Sequence, residues 1–498
     1  MKLLNKTKML LKAGVVIAIA LAFVMPVTAS ISKSPMIKQT PQQPKNFFSS
    51  AGWIEQASGF WDTSQGIHYM CAVDENITWA VGYDGSGSST PVQEFTRTIN
   101  GGDLWVADLI DGAPTDGDTA MIFALDDMTA WVPIHTGTPQ GIWKTSDGGD
   151  TWAQQTTADF TGGFPNCVHF WDENIGWCMG DPVGGYFQIY TTTDGGNNWV
   201  RVPQGNIPAP SSSVEYGVVG YYDVVGDTVW FGTQDATLGG RVFKSIDKGY
   251  HWTVSNVIFS AGSYVDIRFK DALHGLAMDK NFEEAALAET ADGGATWTLI
   301  SQTGMCYAAD FDYVPGTTNM YVSTGVNKND PAWQGASYSL DGGHTWTTWN
   351  EMSGTQLFGT TWVDGKIGWA GTFNTDGTTG GVWKHLPSEN PQPALTISIA
   401  GGKGFTVTVK NIGEADATNV TCDVTIEGGL FIKPKDFSKT QATLDVGGNF
   451  TLVGAPKGIG LGLLKPMPTI KINVNCTEGI SATKTVQAKI FFSKITLQ

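Results

Sequence analysis

The carboxylates Glu215, Asp181 and Asp266 are the side chains of this chain best placed to do chemistry, because each sits beside a strand-like run and next to other polar or aromatic groups. Two acids facing each other across a cleft can protonate a leaving oxygen and activate water, which is what glycoside hydrolysis needs. The same acids beside rings can bind without reacting, since rings stack on sugars and peptides while carboxylates accept hydrogen bonds. Glu215 precedes Tyr216, Asp266 stands two residues before Arg268, and His169 and Tyr307 lie in comparable apolar runs. Glu215, Asp181, His169, Arg268, Asp266 and Tyr307 are therefore the candidate ligand-binding residues. No residue is assigned a catalytic role, and neither a cofactor nor a metal is expected, because no Cys or His spacing matches a zinc site.

These residues are carried by a repeat. The pattern Ser/Thr-x-Asp-x-Gly-x-x-Trp occurs with Asp147 and Trp152, Asp194 and Trp199, Asp247 and Trp252, Asp292 and Trp297, and Asp341 and Trp346. A sixth copy has Asn100 with Trp105. Successive tryptophans are 47, 47, 53, 45 and 49 residues apart. A period of this length is one small sheet per repeat, as in a propeller blade. Short acceptors on Asp and Ser/Thr pin tight turns, and glycines supply the positive φ that such turns require. The segment from Leu357 to His385 has inner strands but no such turn, and the run Ala51 to Ser58 is a lone strand without a partner. Together they predict seven blades, the last one closed by the N-terminal strand, an arrangement that leaves no free sheet edge.

The turn pattern resembles the Asp box, or BNR repeat, of sialidase-like propellers. That resemblance implies that the boxes are structural and that ligands meet the opposite face. On that face it places Glu215-Tyr216, Tyr264 and Tyr307 in one loop set, and Asp181, Asp235 and Asp279 in the other. The full phrasing, Gly-Trp-Ala/Cys followed by the box, is similar to photosystem II stability/assembly factor-like propellers over about 340 residues. Members of that group imply a non-catalytic scaffold that grips a protein partner. A sialidase would need three arginines converging on a carboxylate, and this chain has only Arg97, Arg201, Arg241 and Arg268. Arg97 and Arg241 align with third strands and Arg201 with a fourth, which leaves Arg268 alone on an inner strand. The expected function is thus a binding or assembly scaffold for a protein, peptide or glycan. The alternative is a glycoside hydrolase using paired carboxylates such as Glu215 with Asp181 or Asp266.

The fold class expected is all-β, a seven-bladed propeller followed by a β-sandwich. Residues 1–29 read as a signal peptide, with a basic start, an apolar run from Ala13 to Met25 and Val27-Thr28-Ala29 as cleavage site. Residues 30–45 form a flexible lead-in, 46–386 the propeller, 387–393 a linker and 394–498 the sandwich. The run Val409 to Val420 resembles CARDB-type immunoglobulin-like modules, which implies a spacer or a surface attachment. The protein is expected to be secreted or at the cell surface, with a periplasmic or lumenal home as variants of the same reading. No membrane-length stretch follows the leader. The formal net charge of −17 is expected to repel nucleic acid and anionic lipid, and it excludes nucleic acid as a natural partner. Cys422 and Cys476 both point to the sandwich core, so an inter-strand bridge and two inert thiols are both open. Cys167 and Cys178 flank a hairpin and are expected on one face, and Cys71 and Cys306 are expected as buried thiols.

Overall fold

The computed structural model describes residues 52–280, 285–327, 329–386, 393–413, 415–461 and 467–498. The signal peptide, the lead-in and nearly all of the linker lie outside these residues. Five four-stranded antiparallel sheets follow one another along the chain, and an eight-stranded sheet combines the first and last blades. Among the described residues no helix is long and apolar enough to cross a membrane.

Each blade places its second strand between two neighbouring sheets, so that strand is buried on both faces. Ala130–Ile134 is buried at every position, and so are the first five residues of Gly176–Pro182. Burial on both faces explains why these strands read as unbroken apolar runs rather than as alternating ones. The fourth strands are short and half exposed, as Ala153–Gln154 and Val200–Arg201 show.

The repeated turns all use one set of hydrogen bonds. Thr145 Oγ1 donates to Asp147 Oδ1 (2.8 Å) and accepts from Gly149 N (2.9 Å), while Asp147 Oδ1 accepts from Thr151 N (2.9 Å). Equivalent bonds recur around Asp194, Asp247, Asp292 and Asp341, and Asn100 takes the same place in the first blade. The glycine before the tryptophan carries positive φ and meets the preceding blade. A Cβ on Gly149 would lie 2.2 Å from the Phe95 ring, and one on Gly249 would lie 2.2 Å from Trp177. The tryptophans Trp105, Trp152, Trp199, Trp252 and Trp346 are buried under their turns, and Trp297 is half-buried.

A second device also links neighbouring blades. Arg97 lies over Trp79, Lys144 over Trp131 and Lys384 over Trp369, with centroid distances of 5.0, 5.0 and 4.9 Å. Each cation faces its tryptophan across adjacent strands. It then reaches the next blade: Lys144 Nζ donates to Gly195 O (3.1 Å) and Lys384 Nζ to Gly101 O (2.8 Å).

The N-terminal strand Gly52–Ala57 pairs antiparallel with Thr379–Leu386 and forms the outer strand of the seventh blade. Its Trp53 packs edge-on against Trp349 (5.5 Å) and Trp362 (5.9 Å). Gln56 Oε1 accepts from Trp105 Nε1 of the first blade (3.0 Å), so this strand bridges the join of the ring.

The C-terminal strands form a β-sandwich. One half holds Asp436–Leu444, Ala417–Glu427 and Thr469–Asn475, and the other holds Leu395–Asn411, Asn449–Gly454, Lys457–Gly460 and Lys494–Leu497. Ser481–Phe492 passes from one half to the other. Strict alternation puts Val420, Val424, Ile470 and Ile472 of one half against Phe405, Val407, Leu452 and Ile490 of the other.

Of the two open readings for the sandwich cysteines the structure has free thiols, and the Cys167–Cys178 expectation is corrected. Cys422 and Cys476 both face the core, but both are free thiols. Cys422 pairs with Val474, which leaves Cys476 one diagonal step away. Diagonal neighbours sit about 7–8 Å apart, too far for a disulfide. Cys167 pairs with Met179 and Cys178 with Val168, so the two thiols point to opposite faces.

Trp53→Ala removes the ring contacts that hold the closing strand. It should cost about 3–5 kcal/mol, read as a lower midpoint in chemical denaturation, and make the region around residues 379–386 cleavable by protease first.

Candidate functional site

The ring has two rims, and strand register assigns residues to each. Pairs Pro165 with Gly180, Glu215 with Asp235 and Val265 with Asp279 mark the rim opposite the aspartate turns. The hairpins between first and second strands lie on the turn side, where Gly195 N donates to Asn174 O (2.9 Å).

On the open rim Asp181 ends the second strand of its blade. Its Oδ1 accepts from Asn166 Nδ2 (2.7 Å), which also donates to Gly217 O of the next blade (3.1 Å). Burial pushes the Asp181 carboxyl up to about 7, with the Asn166 bond pulling the other way. The hydroxyls of Tyr216 and Tyr264 meet at 3.4 Å. Tyr264 N donates to Asp279 Oδ1 (3.1 Å), and burial raises that carboxyl too. The exposed Phe164 ring stacks on His135 at 4.9 Å. This stretch of rim, across three blades, offers flat rings beside acids whose pKa burial raises.

Glu215 has a different role from the one its sequence position suggests. It is buried and clamped by Arg241, with Nη2 to Oε2 at 2.6 Å and Nε to Oε1 at 3.0 Å. Thr233 Oγ1 (2.8 Å) and Ser211 N (2.5 Å) donate to the same carboxylate. Four donors fill its acceptor sites, so it braces its blade and has no lone pair free for a ligand. Tyr307 is also buried, its ring lying against Gly325 and Gly335 within the sixth blade.

Arg268 and Asp266 face the central channel, where the structure adds partners that the sequence did not single out. Arg268 bonds Asp266 (2.8 Å) and lies near Asp312 (3.4 Å) and Asp310 (3.6 Å). Buried Lys280 pairs with Asp310 (2.9 Å) and Asp266 (3.1 Å) and lies over the Tyr221 ring at 4.4 Å. Burial opposes charge on Arg268 and Lys280, but the surrounding carboxylates more than reverse that and raise both pKa values. Burial pushes Asp312 up to about 8 and Asp223 up to about 6, with Arg268 opposing both. The clue was present: Asp310-Phe-Asp312 occupies the inner-strand positions that Asp266-Ile-Arg268 occupies one blade earlier.

Tyr69 crosses the channel and donates its hydroxyl to Val219 O on the fourth blade. A Cβ on Gly220 would stand 2.2 Å from that ring, so only glycine fits there. Toward the aspartate-turn side lies a cavity of about 230 Å³, lined by His169, Tyr222, Asp223, Arg268 and Asp312 among others. Burial lowers His169 to about 3, so its imidazole is neutral at physiological pH. The six sequence candidates therefore do not form one site. His169 and Arg268 share the channel with Asp266 behind them, Asp181 and Glu215 belong to the open rim, and Tyr307 is packed inside a blade.

No family model matches the chain. Over 210 residues it is 26% identical to Xyloglucanase Xgh74A of Acetivibrio thermocellus, a stretch covering 34% of this chain and 24% of that protein. The chain thus spans about a quarter of the length of the curated relatives it matches. Among solved structures it is similar to YCF48 from Cyanidioschyzon merolae (17% identity, TM-score 0.48, 68% of this chain and 100% of that one). It is also similar to YCF48 bound to D1 peptide (16%, TM-score 0.47, 69% and 99%). A third is the Hadza microbial sialidase Hz136 (15%, TM-score 0.41, 66% of each chain).

Asp312 binds its proton more tightly in the folded ring than in the unfolded chain. Its contribution to stability is full below the ordinary carboxylate value of 3.8 and is lost as pH rises toward about 8. Asp312→Asn should flatten that decline and leave the melting temperature at pH 8 equal or higher, measured by thermal melts across the range.

Proposed function

We propose that the propeller is a non-catalytic binding scaffold, spanning 46–386, which takes a peptide or glycan segment on the rim opposite the aspartate turns. The observation that carries this reading is that all four arginines are engaged internally. Arg97 covers Trp79 (5.0 Å), Arg201 covers Tyr186 (4.3 Å), Arg241 clamps Glu215, and Arg268 sits among Asp266, Asp310 and Asp312. They reside in different blades and converge on no common point that an incoming anionic sugar could occupy. The rim instead presents Phe164, Tyr216 and Tyr264 with Asp181 and Asp279, groups suited to stacking and hydrogen bonding. The leader would export the protein, and the C-terminal module would hold the ring near a surface.

A glycoside hydrolase is the second reading. Asp181, with a carboxyl near 7, has the protonation state of a general acid at neutral pH, and the local match is to a xyloglucanase.

Arrays of immobilised peptides and oligosaccharides test the first reading. Asp181→Ala and Tyr264→Ala should each weaken capture by about tenfold or more, the loss expected when a central stacking or hydrogen-bonding group is removed, with melting behaviour unchanged. Hydrolysis of a chromogenic glycoside panel by the parent protein, abolished in Asp181→Asn, would replace this reading with the second.

A further inference from the structure

The acidity of the whole chain hides a basic module. From residue 394 onward there are eleven lysines against seven carboxylates, a net of +4 in a chain of −17 overall. The distribution within the sandwich is sharper still. The strands Leu395–Asn411, Leu430–Lys433, Asn449–Gly454, Lys457–Gly460, Ser481–Phe492 and Lys494–Leu497 carry seven lysines and no Asp or Glu.

Register brings four of these lysines together in two cross-strand pairs on the outward face. Lys433 lies directly opposite Lys457, and Lys403 directly opposite Lys494. Like charges facing each other across a ladder repel, so two such pairs on one face disfavour the isolated sheet unless an anion lies over them. No ion pair with Lys403, Lys433, Lys457, Lys489 or Lys494 occurs among the described residues, and all five are exposed.

The same face carries apolar side chains that stay exposed among the described residues. Leu430, Ile459 and Phe491 form a row across three strands, and Lys494 continues it opposite Phe491. Phe431, Phe492 and Phe491 are 89%, 65% and 52% exposed, and the rings of Phe491 and Phe492 meet edge-on at 4.9 Å. Phe431 and Phe492 also hold φ of 55° and 53°, the left-handed region that bulky residues avoid. Folding does not require phenylalanine at either position, because Asn adopts this backbone more readily.

We propose that this sheet face docks the protein on an anionic lipid bilayer, with the phenylalanines entering the headgroup boundary and the lysines meeting lipid phosphates. A soluble polyanion would satisfy the lysines alone and would leave the phenylalanines in water. A bilayer satisfies both, since interfacial binding adds apolar burial to electrostatic attraction. The acidic propeller would then be repelled from the lipid and directed away from it.

Vesicle co-sedimentation of the full chain tests this, with phosphatidylcholine vesicles compared to vesicles containing phosphatidylglycerol. The leader's own apolar run is common to all variants, so the reading is the difference between parent and variant. Phe431→Asn/Phe492→Asn, which suits the left-handed backbone and leaves the fold intact, should lower the partition onto phosphatidylglycerol vesicles by about tenfold or more. Lys433→Glu/Lys457→Glu should do the same and remove most of the salt sensitivity. The proposal is overturned if both variants bind as the parent does, or if the parent prefers neither vesicle. Capture by soluble polyphosphate without vesicle binding also overturns it. So does a concentration-dependent dimer in sedimentation velocity that these substitutions abolish, since the face would then belong to a second copy. Rim-ligand capture by the same variants stays at the parental level, which separates this surface from the proposed binding rim.

Discussion

Contact between one blade and the next is the constraint on which the propeller depends. A four-stranded sheet of this size cannot bury both of its faces, and the second strands here are apolar on both. Each blade is therefore incomplete until its neighbour arrives. The aspartate turn and the cation-capped tryptophan both serve that requirement. The turn carries a glycine against the previous blade, and the lysine or arginine crosses to a carbonyl of the following one. The last blade meets the same requirement by borrowing Gly52–Ala57 from the other end of the described chain.

This scaffold sets where chemistry can sit. Residues on inner strands face a narrow channel and meet partners from across the ring, as Tyr69 does at Val219. Buried charges there must be compensated, and Arg268 and Lys280 share Asp266 and Asp310 as their compensating carboxylates. Such a network is well suited to holding blades five and six in register and poorly suited to turnover, because its charges are already satisfied by one another. The open rim differs: its rings are partly exposed, and its acids keep hydrogen-bonding capacity.

The repeat made the blades legible from residue types alone, because turn chemistry and tryptophan spacing recur with the period of the sheets. The alignment of Arg97 and Arg241 with third strands and of Arg201 with a fourth was readable for the same reason. Side-chain contacts across a blade and between blades were not readable, since local periodicity says which way a side chain points and nothing about what stands opposite. Glu215 looked available because Arg241 is distant in sequence, yet the hairpin brings the two within 2.6 Å. Cys422 and Cys476 show the same limit in the sandwich. Parity correctly turned both inward, but the register between Ala417–Glu427 and Thr469–Asn475, strands far apart in sequence, sets them one diagonal step apart.

Charge taught the opposite lesson, because a whole-chain sum concealed what individual strands state openly. A net of −17 argues against anionic partners only if charge is spread evenly, and here the acids concentrate in the propeller while one sheet of the sandwich has none. Electrostatic repulsion decays within about 10 Å at moderate salt, so a surface in contact with the sandwich responds to the lysines of that sheet before it responds to the ring. Two modules of opposite sign on one chain give the molecule a direction. The basic sheet can face an anionic boundary while the acidic ring, with its aromatic rim, stays exposed to whatever passes above it.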